Sequence, residues 1–207
     1  MSRLFLMPSP RYRRPGLRLA AVCAMHLAVS ATPSSQSVAQ AQLRGPDVAY
    51  ASAPPAIVHA MLELAKVTGD DVVYDLGCGD GRIVVAAAKH RGARGVGVDI
   101  DPDRIEDATE LALREGVTDR VTFVLDDLFQ ADFADATVVM LYLQPEPNLR
   151  LRPRLLTELR PGTRVVSLSY DMGDWAPDEV RRVDGRRIYL WTIPPTAKPS
   201  AQPGADR

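Results

Sequence analysis

Val72-Val73-Tyr74-Asp75-Leu76-Gly77-Cys78-Gly79-Asp80-Gly81-Arg82 is the stretch that decides how the rest of the chain is read. Val72, Val73 and Tyr74 are strand formers, and the apolar, alanine-rich run from Ile83 to Ala88 has helical length. Between them Gly77, Gly79 and Gly81 remove every Cβ where the chain must bend sharply and where a ligand could touch backbone. A strand, a tight turn and a helix in that order bring a ligand to the carboxyl end of the strand, against free helix N–H groups.

Spacing and charge narrow the ligand. A dinucleotide fingerprint is G-x-G-x-x-G, whereas here the third glycine falls one residue early, at Gly81, with Arg82 in its place. Asp75, at the strand end, would repel a pyrophosphate and attract a cation. S-adenosylmethionine carries a sulfonium and an α-amino group, so the D-x-G-x-G-x-G turn suits it better than a nicotinamide dinucleotide. A second acid points the same way. The strand Gly95-Val96-Gly97-Val98 ends on Asp99, 24 residues after Asp75 and one β-α-β step away. An acid there is placed to accept hydrogen bonds from both hydroxyls of a ribose. After a third strand, Val121 to Leu125, Asp127 and the Leu128 backbone could meet an adenine, although simple turn chemistry also accounts for an aspartate at that point.

Composition sets the frame. The 207 residues are 46% apolar and 25% charged, which fits one soluble globular domain plus appendages. Two cysteines, Cys23 and Cys78, have no zinc spacing and cannot make a disulfide framework. Residues 1–41 read as a targeting segment: five arginines and no acid, a short apolar run from Leu17 to Val29, then Ala39-Gln40-Ala41 as a cleavage site. A disordered extension or a misassigned start, with Met25 the candidate, is the alternative. The apolar run is too short to span a bilayer, so export or membrane tethering is set against the cytoplasm, where the cofactor would be expected. Removing five arginines and no acid takes the net charge from −1 to −6. An acidic body argues against nucleic acid as the main partner.

The remaining elements follow in order. Pro54 or Pro55 opens a helix with Ile57, Val58, Met61, Leu62 and Leu64 at helical spacing. Asp101-Pro102 caps and starts a helix that stops at Gly116. Ala136 to Leu143 reads as a buried fourth strand, and Gln144-Pro145-Glu146-Pro147-Asn148 as the loop after it. A short helix spans Pro153 to Leu159, and Arg164 to Tyr170 is a fifth strand. Glu179 to Val183 and Arg186 to Ile193 form a hairpin across Asp184-Gly185. The body therefore spans 47–194, with a disordered tail over 195–207.

The motif Asp75-Leu76-Gly77-Cys78-Gly79-Asp80-Gly81 resembles the first motif of the class I S-adenosylmethionine-dependent methyltransferases. With Leu141-Tyr142-Leu143-Gln144-Pro145-Glu146 and Arg160-Pro161-Gly162-Thr163-Arg164-Val165-Val166-Ser167, the chain is similar to a small group within them. That group comprises the protein-lysine methyltransferases acting on mitochondrial carrier and ATP-synthase subunits, and archaeal relatives. The resemblance implies a single Rossmann-like α/β domain, with a mostly parallel seven-stranded sheet closed by an antiparallel hairpin. It implies S-adenosyl-L-methionine as cofactor and direct, one-step methyl transfer to a protein lysine. A small-molecule acceptor, or a non-catalytic domain binding the cofactor or a nucleoside, is the alternative.

The family's cofactor residues carry over to Asp75, Gly77, Gly79, Asp99 and Asp127, with Cys78, Ile100 and Leu128 lining the same cleft and Tyr50 on a loop that can fold over it. The segment after the fourth strand faces the transferable methyl in this family, which makes Tyr142, Gln144 and Glu146 the candidate catalytic residues. No metal is implied. Two positions depart from the family pattern near the acceptor. Leu168 and Ser169 follow Ser167 where a histidine and a second polar residue are usual, and Ala53 stands in place of a threonine.

Overall fold

The computed structural model describes residues 51–195. The targeting-like segment, Tyr50 and the tail beyond residue 195 lie outside the described residues. Helices and strands alternate from α1 (Pro55–Leu64) through β1 (Val72–Leu76), α2 (Arg82–Arg91), β2 (Arg94–Asp99), α3 (Pro102–Glu115) and β3 (Val121–Leu125), and β4 (Val138–Leu141) then follows β3 with no helix between them. They continue with α4 (Pro145–Glu158), β5 (Arg164–Leu168), β6 (Glu179–Val183) and β7 (Arg186–Thr192). One seven-stranded sheet has the order β3-β2-β1-β4-β5-β7-β6, parallel except where β7 joins β5 and β6. This is the expected architecture.

Every residue of β1 and β4 is buried, because helices cover both faces of a parallel sheet. Alternate residues of β1 serve opposite faces. Val73 packs with α1 and α2, whereas Val72, Tyr74 and Leu76 pack with Leu151 and Leu155 of α4. Trp191 closes the α4 side: it is fully buried, stacks on Tyr189, and donates its indole N–H to the Trp175 carbonyl at 2.8 Å.

Three elements differ in extent from the sequence reading: β4, the helix expected over Pro153 to Leu159, which is α4, and β5, which ends at Leu168 rather than Tyr170. The fourth strand is shorter than expected, and the expected loop after it is the start of α4. The prolines explain it. Pro145 and Pro147 fall in the first turn, where backbone N–H groups have no helical partner to lose. Pro153 lies inside the same helix. In the hairpin, Asp184 and Gly185 have φ of 47° and 76°, the two positive values a two-residue primed turn requires.

The amino end of the sheet is tied by Asp71, which is 6% exposed. Its carboxylate accepts from the Thr68 N–H (2.9 Å) and the Thr137 hydroxyl (2.7 Å), and pairs with Arg164. Burial alone would raise this carboxyl. The hydrogen bonds from Thr137 and Thr68 and the Arg164 guanidinium outweigh it and hold the group below its ordinary range. The group therefore adds stability above its unfolded pKa, and that stability is lost as the pH falls through the lowered folded value. We expect Asp71→Ala to cost about 2–4 kcal/mol in urea unfolding at neutral pH, and to flatten the acid limb of the stability profile. Gly81→Ala should cost about 1–3 kcal/mol by the same assay. Its φ is 72°, and the added Cβ would stand 2.6 Å from the Phe123 ring and 2.8 Å from Ala108 Cβ.

Candidate functional site

Reversal of strand order on the two sides of β1 puts a crevice at the carboxyl ends of β1 and β4, the usual ligand position in an open α/β sheet. The glycine turn forms its floor. Gly77, Gly79 and Gly81 have φ of 84°, 52° and 72°. A Cβ on Gly77 would stand 2.7 Å from Leu143 and 3.8 Å from Leu128, so both leucines close over bare backbone.

The turn is anchored to β2. The N–H groups of Gly77 and Cys78 both donate to the Val98 carbonyl, at 2.8 and 3.0 Å. Gly79 N–H donates to one carboxylate oxygen of Asp99 at 2.8 Å, and Asp101 N–H to the other at 3.1 Å. Asp99 thus shapes the turn while staying partly exposed at the rim, and Ile100 follows it in a half-buried bend. Cys78 is 5% exposed, its thiol near the Gly79 carbonyl at 3.6 Å; burial, with Asp75 and Asp99 nearby, pushes the thiol far up. It stays a thiol.

Asp75 is the electrostatic anomaly of the site. It is 2% exposed on a central strand, and its carboxyl is raised well above its ordinary value of 3.8, by burial first and then by the charges of Asp99 and Asp80. Nothing among the described residues acts to lower it. An uncompensated buried carboxyl is costly, and a cation delivered to the strand end would relieve it. The residues present therefore fit a ligand bearing a sulfonium and an ammonium, and would oppose a pyrophosphate.

Asp127 lies at the end of β3, where Oδ1 accepts from the Phe129 N–H at 2.9 Å and its carbonyl accepts from Gln130 and Ala131. Turn chemistry at this aspartate is therefore present in the structure. Leu128 is partly buried beside the turn. Phe129 is 6% exposed and carries the Arg150 guanidinium over its ring at 3.7 Å, so the ring is not open to a ligand.

Across the crevice, Tyr142 is half-buried and its hydroxyl accepts from Arg186 at 3.3 Å. Gln144 is the N-cap position of α4 without a side-chain cap, and Glu146 is in its first turn; both are exposed. The structure thus gathers Asp75, Gly77, Cys78, Gly79, Asp99, Ile100 and Leu128 around one turn, with Asp127 at the neighbouring strand end. Tyr142, Gln144 and Glu146 lie on the β4 side.

One buried polar residue escaped the sequence reading. Asn148 is fully buried, and its amide donates to the Ser167 hydroxyl at 3.0 Å, which in turn donates to the Tyr170 carbonyl at 2.7 Å. This chain of bonds pins the start of α4 to the end of β5. The signal was present: Asn148, Leu151 and Leu155 share one helical face, visible once the helix is begun at Pro145. At the positions that depart from the family pattern, Leu168 is wholly buried and Ser169 has a φ of 72°. The Ala53 carbonyl accepts from Arg82 at 2.9 Å.

Comparison with known proteins places this geometry. The ANTKMT methyltransferase domain model matches residues 75–179. A protein-lysine N-methyltransferase of Saccharolobus islandicus is 44% identical over 153 residues, covering 72% of this chain and 95% of that protein. A lysine N-methyltransferase of an ATP synthase subunit from Xenopus laevis is 35% identical over 109 residues, 53% of this chain; the chain spans about half (48%) of that enzyme. Among solved structures, an RNA methyltransferase from Salinibacter ruber in complex with S-adenosyl-L-homocysteine is 50% identical with a TM-score of 0.70. That match covers 74% of this chain and all of the other. A matched domain over half of the sequence, an archaeal relative covered nearly end to end, and a cleft suited to a sulfonium agree: the chain belongs to the ANTKMT family of S-adenosylmethionine-dependent methyltransferases.

Proposed function

We propose that this chain methylates lysine side chains of protein, with the cofactor held on the β1–β2–β3 side of the crevice and the acceptor entering on the β4 side. The lysine acceptor is supported by the archaeal relative, whose length is almost entirely covered. The cofactor side rests on one observation above others, the buried Asp75 carboxyl that nothing in the described chain compensates.

In this reading Asp75 receives the cationic end of the cofactor, and the Gly77–Gly79 backbone lets it approach. Asp99 takes the ribose hydroxyls with the oxygen lone pairs left after Gly79 and Asp101, and Ile100, Cys78 and Leu128 wall the cleft. Asp127 holds the β3 turn and presents it to the adenine. S-adenosylmethionine supplies an electrophilic methyl on sulfur, and direct displacement needs donor and acceptor in line and close together. The protein's task is placement. A lysine ammonium must first lose a proton, which desolvation at the mouth favours. Tyr142 and Gln144 shape that mouth, and Glu146 attracts the incoming ammonium.

Two measurements test this. If the cofactor's positive charge fixes Asp75 in its ionised form, binding releases the proton that the raised carboxyl carries in the free protein. Affinity should then strengthen as the pH rises toward that raised value, with calorimetric heats that vary with the buffer's own protonation enthalpy. Asp75→Asn should bind about ten- to a hundredfold more weakly and without that pH dependence. The same variant should be the more stable apo protein at neutral pH, since a raised carboxyl subtracts stability once the pH passes 3.8. Cofactor affinity unchanged in Asp75→Asn would sink the role of Asp75. For the acceptor, methyl-labelled cofactor and fractionated extract should give acid-precipitable label that hydrolyses to methyl-lysine. Label confined to small molecules would point to a metabolite acceptor instead.

A further inference from the structure

The acceptor side of the crevice ends in a cluster of arginines without ion-pair partners. Arg182, Arg186 and Arg187 stand at the tip of the β6–β7 hairpin, and no carboxylate among the described residues lies within ion-pair distance of any of them. Arg187 hydrogen-bonds with Tyr189 and feels the charge of Asp171 only from beyond that distance. Many other arginines have carboxylate partners, among them Arg82 with Asp80, Arg104 with Asp107, Arg154 with Glu158, Arg164 with Asp71, and Arg181 with Glu179 on β6 itself, whereas Arg94, Arg114, Arg150 and Arg160 have none among the described residues.

The position of the hairpin tip is set by the backbone. The Asp184-Gly185 turn fixes a register in which Arg182 is directly opposite Arg187. Like charges on facing strand positions destabilise a hairpin, so packing gives no reason for this pair. β7 runs antiparallel to β5, with Ile188 opposite Leu168, which carries the tip to the carboxyl end of the sheet where the crevice opens. Two contacts join the tip to that opening. Arg186 donates to the hydroxyl of Tyr142, and the Arg187 carbonyl accepts from the N–H of Ser169 at 2.8 Å. Ser169 is held at a φ of 72°, a strained value for a residue with a Cβ. Strain of this kind concentrates at functional sites.

We infer that the hairpin tip recognises acidic side chains flanking the acceptor lysine, with Arg182 and Arg187 as specificity-determining residues. The inference rests on the lysine reading above and names the substrate context it would take. On a chain whose net charge is −1, an acidic target needs such a local patch to approach. Two guanidiniums facing each other across the hairpin, Arg182 and Arg187, match a brief acidic run in a protein better than the long, regular charge track of RNA.

The test uses the full chain, labelled S-adenosylmethionine, and peptides with a single lysine flanked on both sides by aspartate, serine or arginine, with RNA in parallel. At low salt we expect kcat/KM for the aspartate-flanked peptide to exceed that for the serine-flanked one by about tenfold, and the difference to shrink toward none near 1 M salt, where charges are screened within about 3 Å. Arg182→Glu should abolish or reverse the preference, leave turnover of the serine-flanked peptide unchanged, and raise the melting temperature by converting repulsion of Arg187 into attraction. A merely structural role would not combine those changes. Equal use of aspartate- and serine-flanked peptides, or a preference untouched by Arg182→Glu, overturns this inference while leaving lysine methylation intact. Label in no peptide lysine, or in RNA instead, overturns the lysine reading and this inference with it.

Discussion

The site depends on one tie, the hydrogen bonds that bind the glycine turn of β1 to the end of β2. Gly77 and Cys78 give their N–H groups to Val98, and Gly79 gives its own to Asp99. These bonds hold three successive glycines at positive φ, and only then can Leu143, Leu128 and Phe123 close over the bare backbone. Packing and ligand access are therefore one requirement. A side chain added at Gly77 or Gly81 would meet the core before it met any cofactor. Asp99 serves both demands, shaping the turn with part of its carboxylate and leaving the rest at the rim.

β1 and the residue just before it show how the fold separates stability from function. Asp71 and Asp75 are both almost fully buried, four residues apart, near opposite ends of the same strand. Asp71 meets Thr68, Thr137 and Arg164, and its carboxyl is lowered; Asp75 meets only other acids, and its carboxyl is raised. The first ties β1 to β4 and β5 at the amino end of the sheet. The second costs stability at the carboxyl end, a cost that a bound cation can offset. Interactions within the chain account for the first arrangement. A bound cation would account for the second.

Much of this was legible in the sequence because the signals were local. Three glycines at fixed offsets, an acid at the end of each of two strands, an Asp-Pro helix start and an Asp-Gly turn each carry their own backbone chemistry. What stayed hidden required tertiary context. Gln144 to Asn148 read as a loop because two prolines look like breaks, yet proline is tolerated in a first helical turn. That misreading also hid Asn148, whose polar side chain makes sense only against Ser167 on β5. Asp75 could be read as attracting a cation, but its isolation from every compensating group depends on which side chains fold around it. Arg182 and Arg187 are five positions apart in sequence and become neighbours only through the hairpin register.

Along the carboxyl edge of the sheet acids mark the ends of β1 to β3 and arginines the β6–β7 hairpin, with Asp184 in the hairpin turn itself and Asp171 after β5. Asp75, Asp99 and Asp127 sit at or just beyond the ends of β1, β2 and β3, while Arg186 and Arg187 open β7 and Arg182 faces Arg187 from β6. A lysine side chain drawn from an acidic stretch would be pulled in both directions at once, its ammonium toward the acids and its flanking carboxylates toward the arginines. Opposed attractions of that kind orient a flexible segment without a deep groove, because only one direction of approach satisfies both. Exchanging the two ends would set like charges against each other on both sides. A direct methyl displacement asks for alignment above all else, and a sheet edge polarised in this way would supply alignment from residues that never touch the methyl group.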